Sequence, residues 1–104
     1  MIIQWTQRAE NQLDDIFDFI KVENEMAAIR IYNQILDEVE VLTKFPNIAP
    51  VEPLLEDEPI TYRSLLVNRR YKIVYFVNDE LIYIVAVFDC HQNPNKLKKH
   101  IENF

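Results

Sequence analysis

An α+β fold is predicted for this chain: an N-terminal strand, an antiparallel helix hairpin, a three-stranded antiparallel meander and a short C-terminal helix. Three observations lead there. Apolar residues recur at three- and four-residue intervals from Ala9 to Leu42. After Thr61 the pattern changes to short β-rich runs broken by polar triplets. Between the two regimes, from Phe45 to Thr61, lie four of the five prolines. With 104 residues, 49% of them hydrophobic, the chain is expected to form one domain over residues 1–104 with its own core.

Each element has a local reason. MIIQW (Met1 to Trp5) suits a strand, and the Thr6 hydroxyl offers an N-cap to the helix that follows. In that helix Ala9, Leu13, Ile16, Phe17 and Ile20 fall on one side, and Glu10, Asp14, Asp15 and Asp18 on the other. Asn24 can cap a second helix with apolar positions Ala28, Ile31, Tyr32, Ile35, Val39 and Leu42, which Pro46 stops. The short link between the helices predicts an antiparallel pair. Phe45 to Thr61, with the acidic run Glu56, Asp57, Glu58, reads as a loop. Tyr62 to Val67, Tyr71 to Val77 and Leu81 to Phe88 read as strands, with Asn68-Arg69-Arg70 and Asn78-Asp79-Glu80 as turns. Tyr71, Ile73, Tyr75 and Val77 alternate with Lys72, Val74 and Phe76, so the middle strand is apolar on both faces and belongs inside a sheet. Asn93 and Pro94 are placed to start a last helix, on which His100 reads as exposed surface.

Composition excludes several classes of function. There is no glycine, and the phosphate cradles of the P-loop and the dinucleotide fingerprint need backbone that only glycine permits. The single cysteine, Cys90, cannot form an internal disulfide or a Cys-rich zinc site, and reads as a small packing residue at a strand end. No signal-peptide pattern opens the chain, so the expected location is cytoplasmic. The longest apolar run, Leu81 to Phe88, is far shorter than the roughly 20 residues of a membrane span, so no membrane partner is expected.

The net charge of −6 lies entirely in residues 1–52, while the second half is neutral and carries Arg63, Arg69, Arg70 and Lys72 with no acid between residues 61 and 78. Two readings of that stretch stand side by side. Charges at strand ends commonly do no more than solvate a surface. Alternatively, Arg69, Arg70 and Lys72 form a phosphate-binding patch, and Arg63 and His91 join Lys72 as a set for phosphodiester cleavage by the 2′-hydroxyl. That reaction asks for a cation at the phosphate, a general base and a general acid. On this reading all three side chains converge on one face of the sheet. A metal reading is weaker: Asp89, Cys90 and His91 are clustered, but neighbouring strand residues point to opposite faces, so neither metal nor cofactor is expected.

The segment Tyr62 to Leu97, YRSLLVNRRYKIVYFVNDELIYIVAVFDCHQNPNKL, resembles the RelE/ParE superfamily of bacterial type II toxin–antitoxin toxins, also described as plasmid stabilisation proteins. The likeness is carried by Arg63-Ser64-Leu65, by the central strand Tyr71 to Tyr75, and by Val87, His91, Gln92 and Pro94 at the end of the motif. The opening WTQRAENQLDDIFDFI is similar to the family's first helix. This resemblance implies a growth-inhibiting toxin held by a cognate antitoxin in a hetero-oligomer. The target it implies is either ribosome-bound mRNA, which RelE-like members cleave, or DNA gyrase, which ParE-like members poison without cleavage. It also implies a phosphate-binding role for Arg63 and a catalytic one for His91 if the chain is a metal-independent ribonuclease (an mRNA interferase). The overall acidity leans towards the ParE-like branch, and His91 keeps the ribonuclease open. A remnant that binds antitoxin without toxicity is the third class.

Overall fold

The computed structural model describes residues 1–92 and 94–102. Strand β1 (Ile2–Trp5) leads into helices α1 (Gln7–Lys21) and α2 (Glu25–Val41), followed by strands β2 (Arg63–Val67), β3 (Tyr71–Asn78) and β4 (Leu81–Asp89) and helix α3 (Pro94–Glu102). Both expected caps are made: Thr6 Oγ1 accepts from the Ala9 N–H at 3.2 Å and Asn24 Oδ1 from the Ala27 N–H at 3.0 Å. The expected cap at Asn93 lies outside the described residues. Helix α2 ends at Val41, before Pro46. Its last carbonyls are taken three residues on, by the N–H groups of Leu42, Thr43 and Lys44, so the final turn tightens before the proline is reached.

The sheet order is β1-β4-β3-β2, with the three later strands an antiparallel meander and β1 parallel to β4 at the opposite edge. A parallel neighbour requires a crossover, and α1 and α2 supply it, lying together on one face. Beneath them Leu13, Ile31, Ile35, Ile73, Tyr75, Ile82, Ile84 and Val87 form the larger core. Full burial of each such aliphatic side chain contributes about 1.5–3 kcal/mol. The opposite face carries a smaller core, in which Leu97 and Ile101 of α3 and Leu55 of a 3₁₀ turn (Pro53–Leu55) cover Val74, Val85, Ala86 and Phe88.

One irregularity decides which β4 residues face which core. Val74 lies opposite Ala86 and Tyr75 opposite Ile84, so Val85 is an extra residue, a β-bulge. The bulge reverses the alternation: Ile82, Ile84 and Val87 face the helix hairpin, whereas Val85, Ala86 and Phe88 face α3. Backbone groups around a bulge lose ladder partners and must find others. Here the Val87 N–H donates to Gln12 Oε1 at 2.8 Å, and His100 Nε2 meets the Val85 carbonyl at 2.9 Å. His100 is therefore half-buried and structural, not the exposed residue expected from its place on an amphipathic helix.

With no glycine available, the positive-φ turn positions are filled by Asn68 (φ 54°), Arg69 (φ 56°) and Asp79 (φ 54°). Asn and Asp tolerate this region, and Arg69 is the one that pays a Cβ penalty there.

Candidate functional site

The register decides what the basic residues can reach. Arg63 pairs with Tyr75, whose side chain belongs to the core under the helix hairpin, so Arg63 stands on that face. It is half-buried, and its Nη1 donates to the Ala49 carbonyl at 2.8 Å. Lys72 pairs with Leu66 and with Phe88, which belongs to the core under α3, so Lys72 stands on the other face. The expected convergence of Arg63, Lys72 and His91 on one face is thus not what the fold produces. An odd offset along β3, from Lys72 to Tyr75, separates the two cations by the thickness of the sheet.

His91 is more distant still from Arg63. It follows β4 in a turn beside the Asn68–Arg70 turn, since the Cys90 N–H donates to the Arg70 carbonyl at 2.8 Å. Arg63 lies four residues from that end of β2 and two strands away from β4, roughly 13 Å along the strands and 10 Å across them. Cys90, expected to pack, is exposed in that same turn, because β4 ends one residue before it. Burial nonetheless pushes its thiol up from the ordinary value, an effect the Lys72 charge opposes.

Lys72 donates to Glu52 Oε1, and the Glu52 carboxylate is fully buried. The same carboxylate accepts from Ser64 Oγ at 3.0 Å and from the Leu54 N–H at 3.1 Å. Glu52 sits in the proline-rich segment, which is not featureless: Val51 bridges to Arg63 and the Glu52 N–H donates to the Tyr62 carbonyl, so the segment shields the outer edge of β2. Sequence offered no pointer to Glu52, since the fold, not the local pattern, buries it.

Arg70 is also engaged. Its Nε and Nη2 grip Asp89 Oδ1 and Oδ2 at 3.1 and 2.9 Å, and its guanidinium lies over the Tyr71 ring. Burial pushes the Asp89 carboxyl up, but the Arg70 contacts and the His91 N–H outweigh it, and the net position is below the ordinary value. Among the five candidates, Arg69 and His91 are left exposed at this end of the sheet, beside the Arg70–Asp89 pair.

A cleft of about 480 Å³ opens here between α1 and the end of the sheet, lined by Gln12, Ile16 and Phe19 on one side and Arg70, Tyr71 and Asp89 on the other. Phe19 is 75% exposed at its rim and continues into exposed Val22 and Met26 at the hairpin tip. With Ile16 and Phe19 beside Asp15 on the helix wall, and Arg70 and Asp89 on the sheet wall, the cleft suits an extended or helical peptide carrying both apolar and charged side chains. Among the described residues no group of three His, Cys, Asp or Glu is placed to hold a metal ion.

The family model for the ParE toxin of the type II toxin–antitoxin system, parDE, matches residues 3–94. No curated protein matches the chain. Among solved structures it is similar to a chain of the chromosomal ParDE toxin–antitoxin system from P. aeruginosa, at 24% identity, covering 86% of this chain and 95% of that one with a TM-score of 0.72, a likeness that shows a shared fold. The match spans β1 to the start of α3, the whole sheet and both helices of the hairpin, and this chain belongs to the ParE toxin family of type II toxin–antitoxin systems.

Proposed function

We propose that this protein is the toxin half of a toxin–antitoxin pair and that it acts by binding its target, DNA gyrase, rather than by cutting RNA. The observation that carries this reading is the separation of Arg63 from Lys72 on opposite faces, each already engaged within the chain. Phosphodiester cleavage needs a cation, a base and an acid within reach of one phosphate. A binding poison needs none of these, only an exposed surface of suitable shape and charge. Arg69 and His91 at the end of the sheet supply part of one. The acidity of the chain, with a pI near 4.8, also suits a protein target better than a ribosomal RNA surface.

The cognate antitoxin is the second partner. Its segment lies in the cleft between α1 and the sheet, with apolar side chains against Phe19 and Ile16 and polar ones at Arg70 and Asp89. The pair works in the cytoplasm, where gyrase and message are found; among the described residues no helix is long and apolar enough to cross a membrane.

Induced expression without antitoxin tests the target. Gyrase poisoning gives filamentous cells and broken DNA while messages stay intact. Primer extension that finds discrete breaks at codon positions in translated messages would overturn the reading and restore the ribonuclease.

A further inference from the structure

The bulge in β4 is closed by side chains from two different helices, and their hydrogen bonds permit only one protonation state. His100 Nε2 faces the Val85 carbonyl at 2.9 Å; a carbonyl only accepts, so Nε2 carries the proton. Gln12 Oε1 accepts from the Val87 N–H at 2.8 Å, which leaves the Gln12 amide nitrogen facing His100 Nδ1 at 3.3 Å. An amide nitrogen only donates, so Nδ1 must be bare. Neutral His100 satisfies every group. A second proton, on Nδ1, would point at the Gln12 NH₂. Turning the Gln12 amide over removes that clash but sets its NH₂ against the Val87 N–H, so no arrangement of Gln12 serves a charged His100 and the bulge together.

We infer that α3 is a proton-released flap: protonation of His100 unlatches it from α1 and β4 and uncovers the apolar face of the sheet beneath. Three features make release feasible. α3 has nine residues, too few for an isolated helix to persist in water, so it melts once undocked. Among the described contacts, the burial of Leu97 and Ile101, the His100 contacts and the Lys98–Asp57 pair hold it down. Among the described residues α3 is the last element in chain order.

The charges around the latch act in the same direction. Burial lowers the His100 imidazole from its ordinary range and the Arg8 charge on α1 lowers it further, while the bond to Val85 opposes them. Arg8 Nη1 also donates to the His100 carbonyl at 3.1 Å, which holds its positive charge close to the ring. From the segment after the 3₁₀ turn, Asp57 pairs with Lys98, and that pairing keeps the Asp57 carboxyl below its ordinary value, so this clip stays ionised through mild acid. β4 brings the Val85 carbonyl. The sign follows: a histidine lowered in the docked state binds its proton more readily when α3 is free, so docking is complete above about pH 6.5 and weakens as pH falls below it.

Hydrogen exchange followed by mass spectrometry on the full chain, corrected for intrinsic rates, tests this between about pH 7.5 and about pH 5. Residues 95–102 are expected to exchange roughly tenfold faster at the acid end, while β3 stays protected. His100→Gln, neutral at every pH, should abolish the response. Gln12→Glu offers a carboxylate able to accept from both the Val87 N–H and a charged His100, and should keep α3 protected at about pH 5. Unchanged α3 exchange in the parent across this range would overturn the inference, as would a Gln12→Glu protein that releases α3 at the parent's pH. If His100→Gln leaves α3 unprotected already at about pH 7.5, the parent and Gln12→Glu decide the matter, because both retain the histidine.

Discussion

Glu52 and Lys72 meet across the outer face of the sheet: the carboxylate is fully buried and the ammonium, 26% exposed, closes over it. The cation that sequence offered for a phosphate is thereby committed to a carboxylate. Removing it would leave a buried charge supported, among the described residues, by Ser64 Oγ and the Leu54 N–H. Lys72→Met, which retains most of the apolar stem, should therefore lower stability by about 2–3 kcal/mol, or roughly 10–20 °C in melting temperature. Glu52→Gln combined with Lys72→Met should recover at least half of that loss, because no charge is then buried. Thermal denaturation of the two variants checks it, and an unchanged melting temperature for Lys72→Met would refute the structural role.

Acid should act on the chain in two stages. The first is the release of α3 below about pH 6.5. The second belongs to Asp89, whose carboxyl is held below its ordinary value of 3.8 by Arg70 and the His91 N–H in spite of burial. A carboxylate lowered in the folded state contributes fully above its unfolded value and is lost as pH falls through the folded one, so this contribution disappears below about pH 4. Asp89→Asn should cost about 1 kcal/mol at neutral pH, the half-exposed pair being screened, and should flatten the acid limb below about pH 4. Urea midpoints measured across pH would show it. An identical acid limb in the variant would remove Asp89 from the account.

The parts of this fold legible in the sequence are those set by neighbours in the chain. Thr6 and Asn24 cap the helices they precede, Ala9 and Leu13 turn inward at helical spacing, and the polar triplets turn the meander. What stayed hidden depends on registers that local pattern does not encode. The pairing of Val67 with Tyr71 places Arg63 opposite Tyr75; a turn one residue shorter or longer would have brought Arg63 and Lys72 to the same face. The Val85 bulge reverses β4 in mid-strand, inside a run so uniformly apolar that nothing marks the spot. His100 reads as exposed surface until the bulge gives it, and Gln12 on α1, backbone groups to serve. Membership of the family was visible in the order and spacing of its motifs, whereas the fate of each charged side chain was not.

Arg69 offers a test of backbone strain. At φ 56° its Cβ costs about 1–2 kcal/mol, which glycine avoids while losing roughly 0.5–1 kcal/mol to added freedom in the unfolded chain. Arg69→Gly should thus stabilise by about 0.5 kcal/mol, a rise of about 2–4 °C, and Arg69→Ala should give no gain. An Arg69→Gly protein that melts below Arg69→Ala would show that the turn is unstrained.

Phe19 tests the proposed antitoxin groove. Its ring is largely exposed at the rim of the cleft, so Phe19→Ser should leave the melting temperature within about 2 °C of the parent. Antitoxin affinity should fall roughly tenfold or more if the ring anchors the bound segment. Titration calorimetry with the adjacent gene product measures it, and full affinity in the variant would move the groove elsewhere on the surface.

The choice between poison and ribonuclease rests on Arg63 and His91. Loss of a positioned general acid costs around 10²- to 10⁴-fold in rate, enough to relieve growth arrest by an enzyme. His91 is exposed at one end of the sheet and Arg63 is bonded to the Ala49 carbonyl near the other, so His91→Ala should remain toxic. Arg63→Met should also remain toxic, at a cost of about 1 kcal/mol from the lost hydrogen bond. Arg69→Glu reverses an exposed charge in the turn beside His91, and should weaken growth inhibition if that end of the sheet meets the target. Induced expression of the three variants, with far-UV circular dichroism to confirm folding, separates the cases. A folded His91→Ala protein that has lost toxicity, together with message breaks produced by the parent, would establish the enzyme in place of the poison.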